Sequence, residues 1–166
     1  MLPSPRHPGR YAVALVCLGN ICRSPTAQVV LEERLAEAGL DDRVVVRSRG
    51  TGGWHLGEPM DRRAAATLRA AGYDPSRHRA RQYDDSWAET QDLVLAMDRD
   101  NLADLGGRSD RVGLFRDFDP IDPGADVPDP YYGGADTFAE VLAIVERTCD
   151  ALVAELARLR DPGSSA

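Results

Sequence analysis

Short apolar segments alternate with helical segments along most of this sequence, and this alternation constrains the fold more than any other feature. The candidate strands are YAVALV (11–16), VVVRS (44–48), LVLAM (93–97) and RVGLF (111–115). Helical patterns follow them, and the longest places apolar residues three or four apart between 138 and 159. Strands that alternate with helices form parallel sheets. The sequence therefore predicts a single-domain α/β fold, a four-stranded parallel sheet with helices on both faces.

Length and composition predict one domain with disordered ends. The chain has 166 residues, and 43% of them are hydrophobic, which is ordinary for one globular core. We expect residues 1–10 to form a disordered polar leader and residues 161–166 a disordered tail. The folded domain is then expected to span residues 11–160.

Charge, hydropathy and cysteine content limit the partners and the location of the chain. The net charge of −7 argues against nucleic acid as a partner. The sequence has no run of about 18 apolar residues, so we expect no transmembrane helix and no membrane partner. The first residues lack the apolar stretch of a secretory signal. With only three cysteines, the chain is predicted to be cytoplasmic, where thiols stay reduced; export without a signal peptide stays open.

The first candidate strand runs directly into CLGNICRS (17–24), and a helix starts at Pro25. Ligands of parallel α/β sheets bind beyond the carboxyl ends of the strands, and a loop that enters a helix N-terminus points N–H groups at an anion. Gly19 permits a sharp turn, and Asn20 tolerates a left-handed conformation. Arg23 offers a planar fork that matches two phosphate oxygens. We therefore predict a phosphate-binding loop after the first strand.

The same surroundings predict the chemistry of Cys17. A helix N-terminus and a nearby guanidinium favour the thiolate, which is the nucleophilic form of cysteine. Attack of this sulfur on phosphorus would form a cysteinyl-phosphate intermediate. Arg23 and the loop amides would stabilise the equatorial oxygens in the transition state.

Release of a phenol from such an ester also needs a proton donor. The loop between residues 117 and 134 carries several candidates, and residue pattern alone does not choose among them: Asp117, Asp119, Asp122, Asp126 and Asp129. A loop of this length in a compact domain is usually functional or disordered.

Several motifs together resemble the low-molecular-weight protein tyrosine phosphatase family of bacterial type. CLGNICRS is similar to the phosphate-binding loop of that family. Further similar segments follow in the same order: SRGTGGWHLGEPMDRR (48–63), AMDRDN (96–101) and DPYYGG (129–134). Two positions depart from the family pattern, since Arg49 replaces the usual alanine and Pro128 replaces a common acidic residue. Neither position is catalytic in the resemblance.

The resemblance implies roles for particular residues. Asp129 would be the general acid and, in the second step, the general base. Trp54, Tyr131 and Tyr132 would form walls around the phenyl ring of the substrate. The remaining contacts to substrate or phosphate would come from the loop residues Leu18, Gly19, Asn20, Ile21, Cys22 and Ser24. Packing in the core is the alternative for the three aromatic residues.

Four supporting roles also follow from the resemblance. Ser24 would donate a hydrogen bond to the Cys17 thiolate, although a simple helix N-cap would look the same in sequence. Ser48 and His78 would brace the loop through Asn20, whereas a solvated histidine is the alternative for His78. Cys22 would form a reversible disulfide with Cys17 and make the site redox-sensitive. A small structural residue is the other interpretation of Cys22.

The resemblance thus implies a metal-independent phosphatase, expected to be a monomer without cofactors, that acts on phosphotyrosine proteins and small aryl phosphates. Histidines and cysteines do not cluster at metal-binding spacing in the sequence. A thiol-dependent arsenate reductase is one alternative, because arsenate mimics phosphate. That chemistry needs further cysteines in the middle of the chain, and none lies between residues 23 and 148. A module that binds phosphotyrosine without turnover is the other alternative.

Overall fold

The computed structural model describes residues 2–159, and its centre is a four-stranded parallel sheet. The strands are β1 (Tyr11–Cys17), β2 (Val44–Gly50), β3 (Leu93–Ala96) and β4 (Val112–Leu114), in the order β2-β1-β3-β4. The helices are α1 (Arg23–Glu37), α2 (Arg62–Ala70), α3 (Asp85–Ala88), α4 (Arg99–Asp104) and α5 (Ala135–Ala157), with a 3-10 turn at Phe115–Phe118. The predicted α/β fold is confirmed.

Both faces of the sheet are covered, but unequally. One face carries the main core, in which Val13 and Leu15 of β1 pack with apolar residues of α1 and α5 such as Leu31 and Leu152. The other face is covered by short elements, and there Val16 lies in a small cluster with partly buried aromatic residues of the segment around α3. Because β1 is buried on both faces, its sequence is a continuous apolar run rather than an alternating one.

The prediction of a disordered leader is wrong for residues 2–10, which pack against the domain. Leu2 is buried, and the Tyr11 hydroxyl donates to the Pro3 carbonyl at 2.9 Å. The buried Asp92 accepts from the backbone N–H of Arg6 at 2.7 Å and from that of Ala12 at 2.6 Å. A buried carboxylate needs such donors, so the leader is ordered although it is polar and rich in proline. The predicted disordered tail, residues 161–166, lies outside the described residues.

No helix within residues 2–159 combines the length and the apolar character needed to cross a membrane.

The long loop that precedes α5 is anchored by a buried carboxylate. Asp119 accepts from Arg147 of α5 at 2.9 Å and from Arg116 at 2.9 Å. Burial alone would raise the pKa of Asp119, but hydrogen bonds from Arg147, from the Ile121 N–H and from Arg116 lower that pKa well below its usual range. Asp119 thus holds the start of the loop that carries Asp129.

We expect Asp119→Asn to lower the free energy of unfolding by about 3 kcal/mol at pH 7, because it leaves two arginines without their buried partner. Since the pKa of Asp119 is lower in the folded than in the unfolded chain, its contribution is complete above about pH 4 and is lost as the pH falls further. Urea unfolding should therefore show a smaller difference in the free energy of unfolding between the wild type and Asp119→Asn at pH 3 than at pH 7. Asp122→Asn, at an exposed position of the same loop, should change stability by less than about 0.5 kcal/mol.

Candidate active site

The loop between β1 and α1 closes tightly around the sulfur of Cys17. Asn20 has a φ of 58°, the left-handed conformation expected from the sequence, and its backbone N–H points at the Cys17 Sγ at 3.3 Å. The Ser24 Oγ lies 2.9 Å from the same sulfur. The loop also lies close to the end of β2, where a Cβ on Gly50 would come within 2.8 Å of the Leu18 carbonyl oxygen. The sulfur is therefore held among hydrogen-bond donors at the tip of β1.

Asn20 is the centre of the hydrogen bonds that brace this loop. Its Nδ2 donates to the Ser24 Oγ at 2.9 Å and to the Ser48 Oγ at 3.0 Å. The His78 Nε2 lies 2.6 Å from the Asn20 carbonyl oxygen, and burial lowers the pKa of His78, which favours the neutral ring. The Arg81 N–H donates to the Asn20 Oδ1 at 2.9 Å. Ser48 and His78 thus both contact Asn20, and His78 is half-buried, while the bracing role of the two residues stays a prediction.

Gln28 extends this network and was not identified from the sequence. Its Oε1 accepts from the Ser48 hydroxyl at 2.7 Å, and its Nε2 donates to the Val46 carbonyl at 3.3 Å. The only signal in the sequence is its position one helical turn after Ser24, on the same side of α1. Because the Ser24 oxygen accepts from the Asn20 amide, the Ser24 proton is left to point at the sulfur. Ser48 accepts from the same amide and donates its own proton to Gln28.

Arg23 is buried beside the sulfur and has two acidic neighbours. Its Nη1 donates to the Asp98 Oδ2 at 2.6 Å and to the Val127 carbonyl at 3.0 Å, and its Nη2 lies 3.6 Å from the Asp129 Oδ2. Burial alone would lower the pKa of Arg23, whereas Cys17, Asp98 and Asp129 raise it, so the guanidinium stays charged. Asp98 belongs to the AMDRDN segment, but no residue pattern there assigns it a role.

Asp129 and three aromatic side chains surround the opening of the site. A cavity of about 330 Å³ is lined by Cys17, Leu18, Gly19, Asn20, Ile21, Cys22, Arg23, Trp54, His55, Asp129, Tyr131 and Tyr132. Trp54 is 70% exposed, Tyr132 is 95% exposed, and Tyr131 is 38% exposed. The rings of the two tyrosines meet edge to face with 5.0 Å between centroids. The alternative that these aromatic residues pack in the core is therefore wrong.

Cys22 lines the same cavity as Cys17. It is buried, and burial, followed by the charges of Asp61 and Cys17, raises the pKa of Cys22 to about 12. Cys22 therefore stays a thiol at neutral pH. Cys17, Cys22 and Cys149 are all free in the structure, so a disulfide between Cys17 and Cys22 remains a prediction.

Within residues 2–159, no group of three or more His, Cys, Asp or Glu side chains is arranged to hold a metal ion. A second and larger groove, of about 760 Å³, lies between α1 and β2. It is lined in part by Gln28 and His78 and contains no cysteine. The cavity around Cys17 is the better candidate for an active site, because it alone of the two combines a nucleophile, a buried cation and a carboxylate.

The fold and the site define an α/β protein that presents a cysteine sulfur inside an oxyanion-binding loop. Residues 12–161 match the family model described as low molecular weight phosphotyrosine protein phosphatase. The chain belongs to this family.

Two relatives and one solved structure show the extent of the similarity. A low molecular weight protein-tyrosine-phosphatase of Streptomyces coelicolor is 45% identical over 152 residues, which cover 87% of this chain and 92% of that protein. A low molecular weight protein-tyrosine phosphatase A of Mycobacterium tuberculosis is 46% identical over 139 residues, which cover 81% of this chain and 84% of that protein. The crystal structure of YfkJ from Bacillus subtilis superposes with a TM-score of 0.83 at 32% identity and covers 90% of this chain and 96% of its own.

Proposed function

We propose that this protein is a metal-independent protein tyrosine phosphatase that hydrolyses phosphotyrosine and small aryl phosphates through a cysteinyl-phosphate intermediate. The observation that carries the proposal is that Cys17, Arg23 and Asp129 line one cavity of about 330 Å³ with aromatic walls. Relatives at 45% and 46% identity are themselves named protein-tyrosine phosphatases. Three free cysteines support a reducing, cytoplasmic setting, and we expect the protein to act as a monomer.

In the first step, the Cys17 thiolate attacks phosphorus, the S–P bond forms, and the bond from phosphorus to the phenolic oxygen breaks. The phosphate oxygens would be held by the N–H groups of the loop and by the guanidinium of Arg23. Asp98, which accepts from Arg23 at 2.6 Å, would fix the orientation of that guanidinium. Asp129 lies at the open side of the cavity, where it would give its proton to the departing phenolate.

In the second step, Asp129 would accept a proton from a water molecule that attacks the phosphorus. The S–P bond then breaks, phosphate is released, and the thiolate of Cys17 is restored. The Ser24 hydroxyl lies 2.9 Å from the sulfur, and its proton would stabilise the negative charge that returns there. Tyr131, Tyr132 and Trp54 would hold the phenyl ring in the first step, which favours phosphotyrosine over shorter aliphatic phosphate esters.

Hydrolysis of para-nitrophenyl phosphate and of a phosphotyrosine peptide, in the presence of a chelator, tests the proposal. We expect turnover of both compounds with kcat unaffected by the chelator. A module that only binds phosphotyrosine would release no phosphate. An arsenate reductase would instead reduce arsenate with a thiol donor, and turnover of arsenate together with failure to hydrolyse the peptide would refute the phosphatase assignment.

The hydrogen bonds from Gln28 to Ser48 lead to a prediction about the second step. Gln28→Leu removes the acceptor of the Ser48 proton and so loosens Ser48, which helps to hold the Asn20 amide that donates to the Ser24 Oγ beside the sulfur. We expect kcat for para-nitrophenyl phosphate to fall about threefold to tenfold and KM to fall with it, so that kcat/KM changes little, and the burst of nitrophenol to grow as the intermediate accumulates. Stopped-flow absorbance measures both.

Glu32→Leu is the matched control, because Glu32 lines the same groove one turn further along α1 without contacting Ser48. It should leave kcat and the size of the burst unchanged. A Gln28→Leu enzyme with wild-type kcat would contradict a positioning role for Gln28.

We also propose that Cys22 protects Cys17 from irreversible oxidation. A peroxide would convert the Cys17 thiolate to a sulfenic acid, which would condense with the Cys22 thiol to give a disulfide and water. Activity lost in mild peroxide should then return with dithiothreitol in the wild type. In Cys22→Ser, recovery should be incomplete because oxidation proceeds to the sulfinic acid. Equal recovery of the two proteins would argue against the protective role.

A further inference from the structure

Three arginines lie beside the phosphate-binding loop, and the proposed mechanism does not use them. We define Arg47, Arg49 and Arg81 as the arginine surface. Side chains alternate along β2, so Arg47 and Arg49 project to the face opposite the main core, where the Arg49 guanidinium lies 4.4 Å from the centroid of the Trp87 ring. The Arg81 carbonyl accepts from the Gly50 N–H at 2.8 Å, which brings Arg81 next to the end of the same strand.

The positive charges of this surface are not neutralised by ion pairs. Within residues 2–159, none of the three arginines forms an ion pair with a carboxylate. Arg49 donates only a long hydrogen bond, of 3.4 Å, to the Gln82 carbonyl. Asp84 acts on Arg49 through its charge without forming an ion pair with it, and its Oδ1 accepts from the Ser86 hydroxyl at 2.7 Å and from a backbone N–H of α3 at 2.8 Å.

The three cations also act on one another. Burial lowers the pKa of Arg49, and the charges of Arg81 and Arg47 lower it further, against the opposing effect of Asp84. The side chains of Arg47 and Arg81 are exposed. The chain as a whole carries a net charge of −7, which is opposite in sign to the charge of these three arginines. An anionic partner at this surface would gain from three positive charges at once.

The backbone of the arginine surface is joined to the phosphate-binding loop, since the Arg81 N–H donates to the Asn20 Oδ1 at 2.9 Å. Arg49 directly precedes Gly50, whose partner in the sheet register is Cys17. Adjacent strands are about 4.8 Å apart, and an extended peptide advances about 3.3 Å per residue. A peptide whose phosphotyrosine occupies the cavity therefore needs only a few residues to reach this surface. Arg49 is also a position at which this sequence departs from the family it resembles.

On the basis of the proposed function, we infer that the arginine surface binds acidic side chains that flank the phosphotyrosine, within about five residues of it. The preferred substrates are then acidic phosphotyrosine segments. In the absence of such a surface, a protein with a net charge of −7 would repel these peptides, so a preference for them needs a local cause.

Steady-state kinetics with three matched phosphotyrosine peptides tests this inference. The first has glutamines on both sides of the phosphotyrosine, the second has three glutamates on its N-terminal side, and the third has three on its C-terminal side. We expect kcat/KM for one acidic peptide to exceed that for the glutamine peptide by about fivefold to tenfold, as for a few exposed ion pairs. The advantage should shrink in 0.5 M NaCl, because salt screens exposed charges.

The double variant Arg47→Ala/Arg49→Ala should lose the preference and keep the wild-type kcat/KM for para-nitrophenyl phosphate. Arg10→Ala/Arg43→Ala removes the same charge at the opposite ends of β1 and β2 and should keep the preference. The inference is overturned if the wild type does not prefer an acidic peptide, or if Arg47→Ala/Arg49→Ala keeps that preference. It is also overturned if Arg10→Ala/Arg43→Ala loses the preference to the same extent. If neither para-nitrophenyl phosphate nor the glutamine peptide is hydrolysed, the proposed function itself fails.

Discussion

Cys17→Ser is expected to reduce hydrolysis of para-nitrophenyl phosphate to less than about 1% of the wild-type rate. A serine hydroxyl stays protonated at neutral pH and is a far weaker nucleophile than a thiolate, so the cysteinyl-phosphate cannot form. The variant should still bind inorganic phosphate, because the loop N–H groups and Arg23 remain. Initial rates and calorimetric titration with phosphate measure the two properties separately.

Cys149→Ala is the matched control for this experiment. Cys149 is fully buried in α5, and burial strongly raises the pKa of Cys149, so this thiol is inert. Its removal should leave the rate unchanged once folding has been verified by circular dichroism. Retention of more than about 1% activity by a folded Cys17→Ser protein would rule out covalent catalysis through Cys17.

Asp129→Ala is expected to slow the first step by about 10²–10⁴ for phosphotyrosine, the usual range for general acid catalysis. Phosphotyrosine releases a phenol with a pKa near 10, which depends strongly on protonation in the transition state. The loss should become smaller as the leaving phenol becomes more acidic. Single-turnover rates over a series of aryl phosphates are needed, because Asp129 would also act as the base in the second step and mask the trend.

Asp126→Ala is the comparison within the same loop. The Asp126 Oδ1 accepts from the Arg99 N–H at 3.0 Å and is absent from the cavity lining, whereas Asp129 lies 3.6 Å from the buried Arg23. The Asp126 variant should show no dependence on the leaving group. If Asp129→Ala slows the first step equally for every leaving phenol, the general acid is another residue. The same conclusion follows if the rate loss depends on the leaving phenol in Asp126→Ala instead.

The fold could be predicted because its signals are local. Each strand of the sheet contains a short apolar run, and Gly39 and Gly72 follow the ends of α1 and α2. The order of the elements can therefore be inferred from neighbouring residues. The loop between β1 and α1 could be predicted for the same reason, since Cys17, Asn20 and Arg23 lie within seven consecutive positions. Even the left-handed conformation of Asn20 follows from a short-range steric preference.

Other features depend on contacts between distant parts of the chain. Residue pattern alone left five aspartates as possible acids, and only the resemblance selected Asp129. Gln28 and Asp98 gave no usable signal, because their roles depend on Ser48 and Arg23, which lie 20 and 75 residues away. The polar leader is ordered for a related reason, since Asp92, more than 80 residues later in the chain, accepts from its backbone.

From the sequence alone, the α/β architecture, the phosphate-binding loop and the identity of its cysteine could be determined, because each rests on spacing along the backbone. Only the tertiary structure decided which carboxylates lie beside Arg23 and which side chain receives the Ser48 proton. It also decided that Arg47 and Arg81 lie near enough to Arg49 for their charges to act on it, without ion pairs to the carboxylates of residues 2–159. Hydrogen bonds and charges act over a few ångströms in space, and folding alone determines which distant residues come within that range.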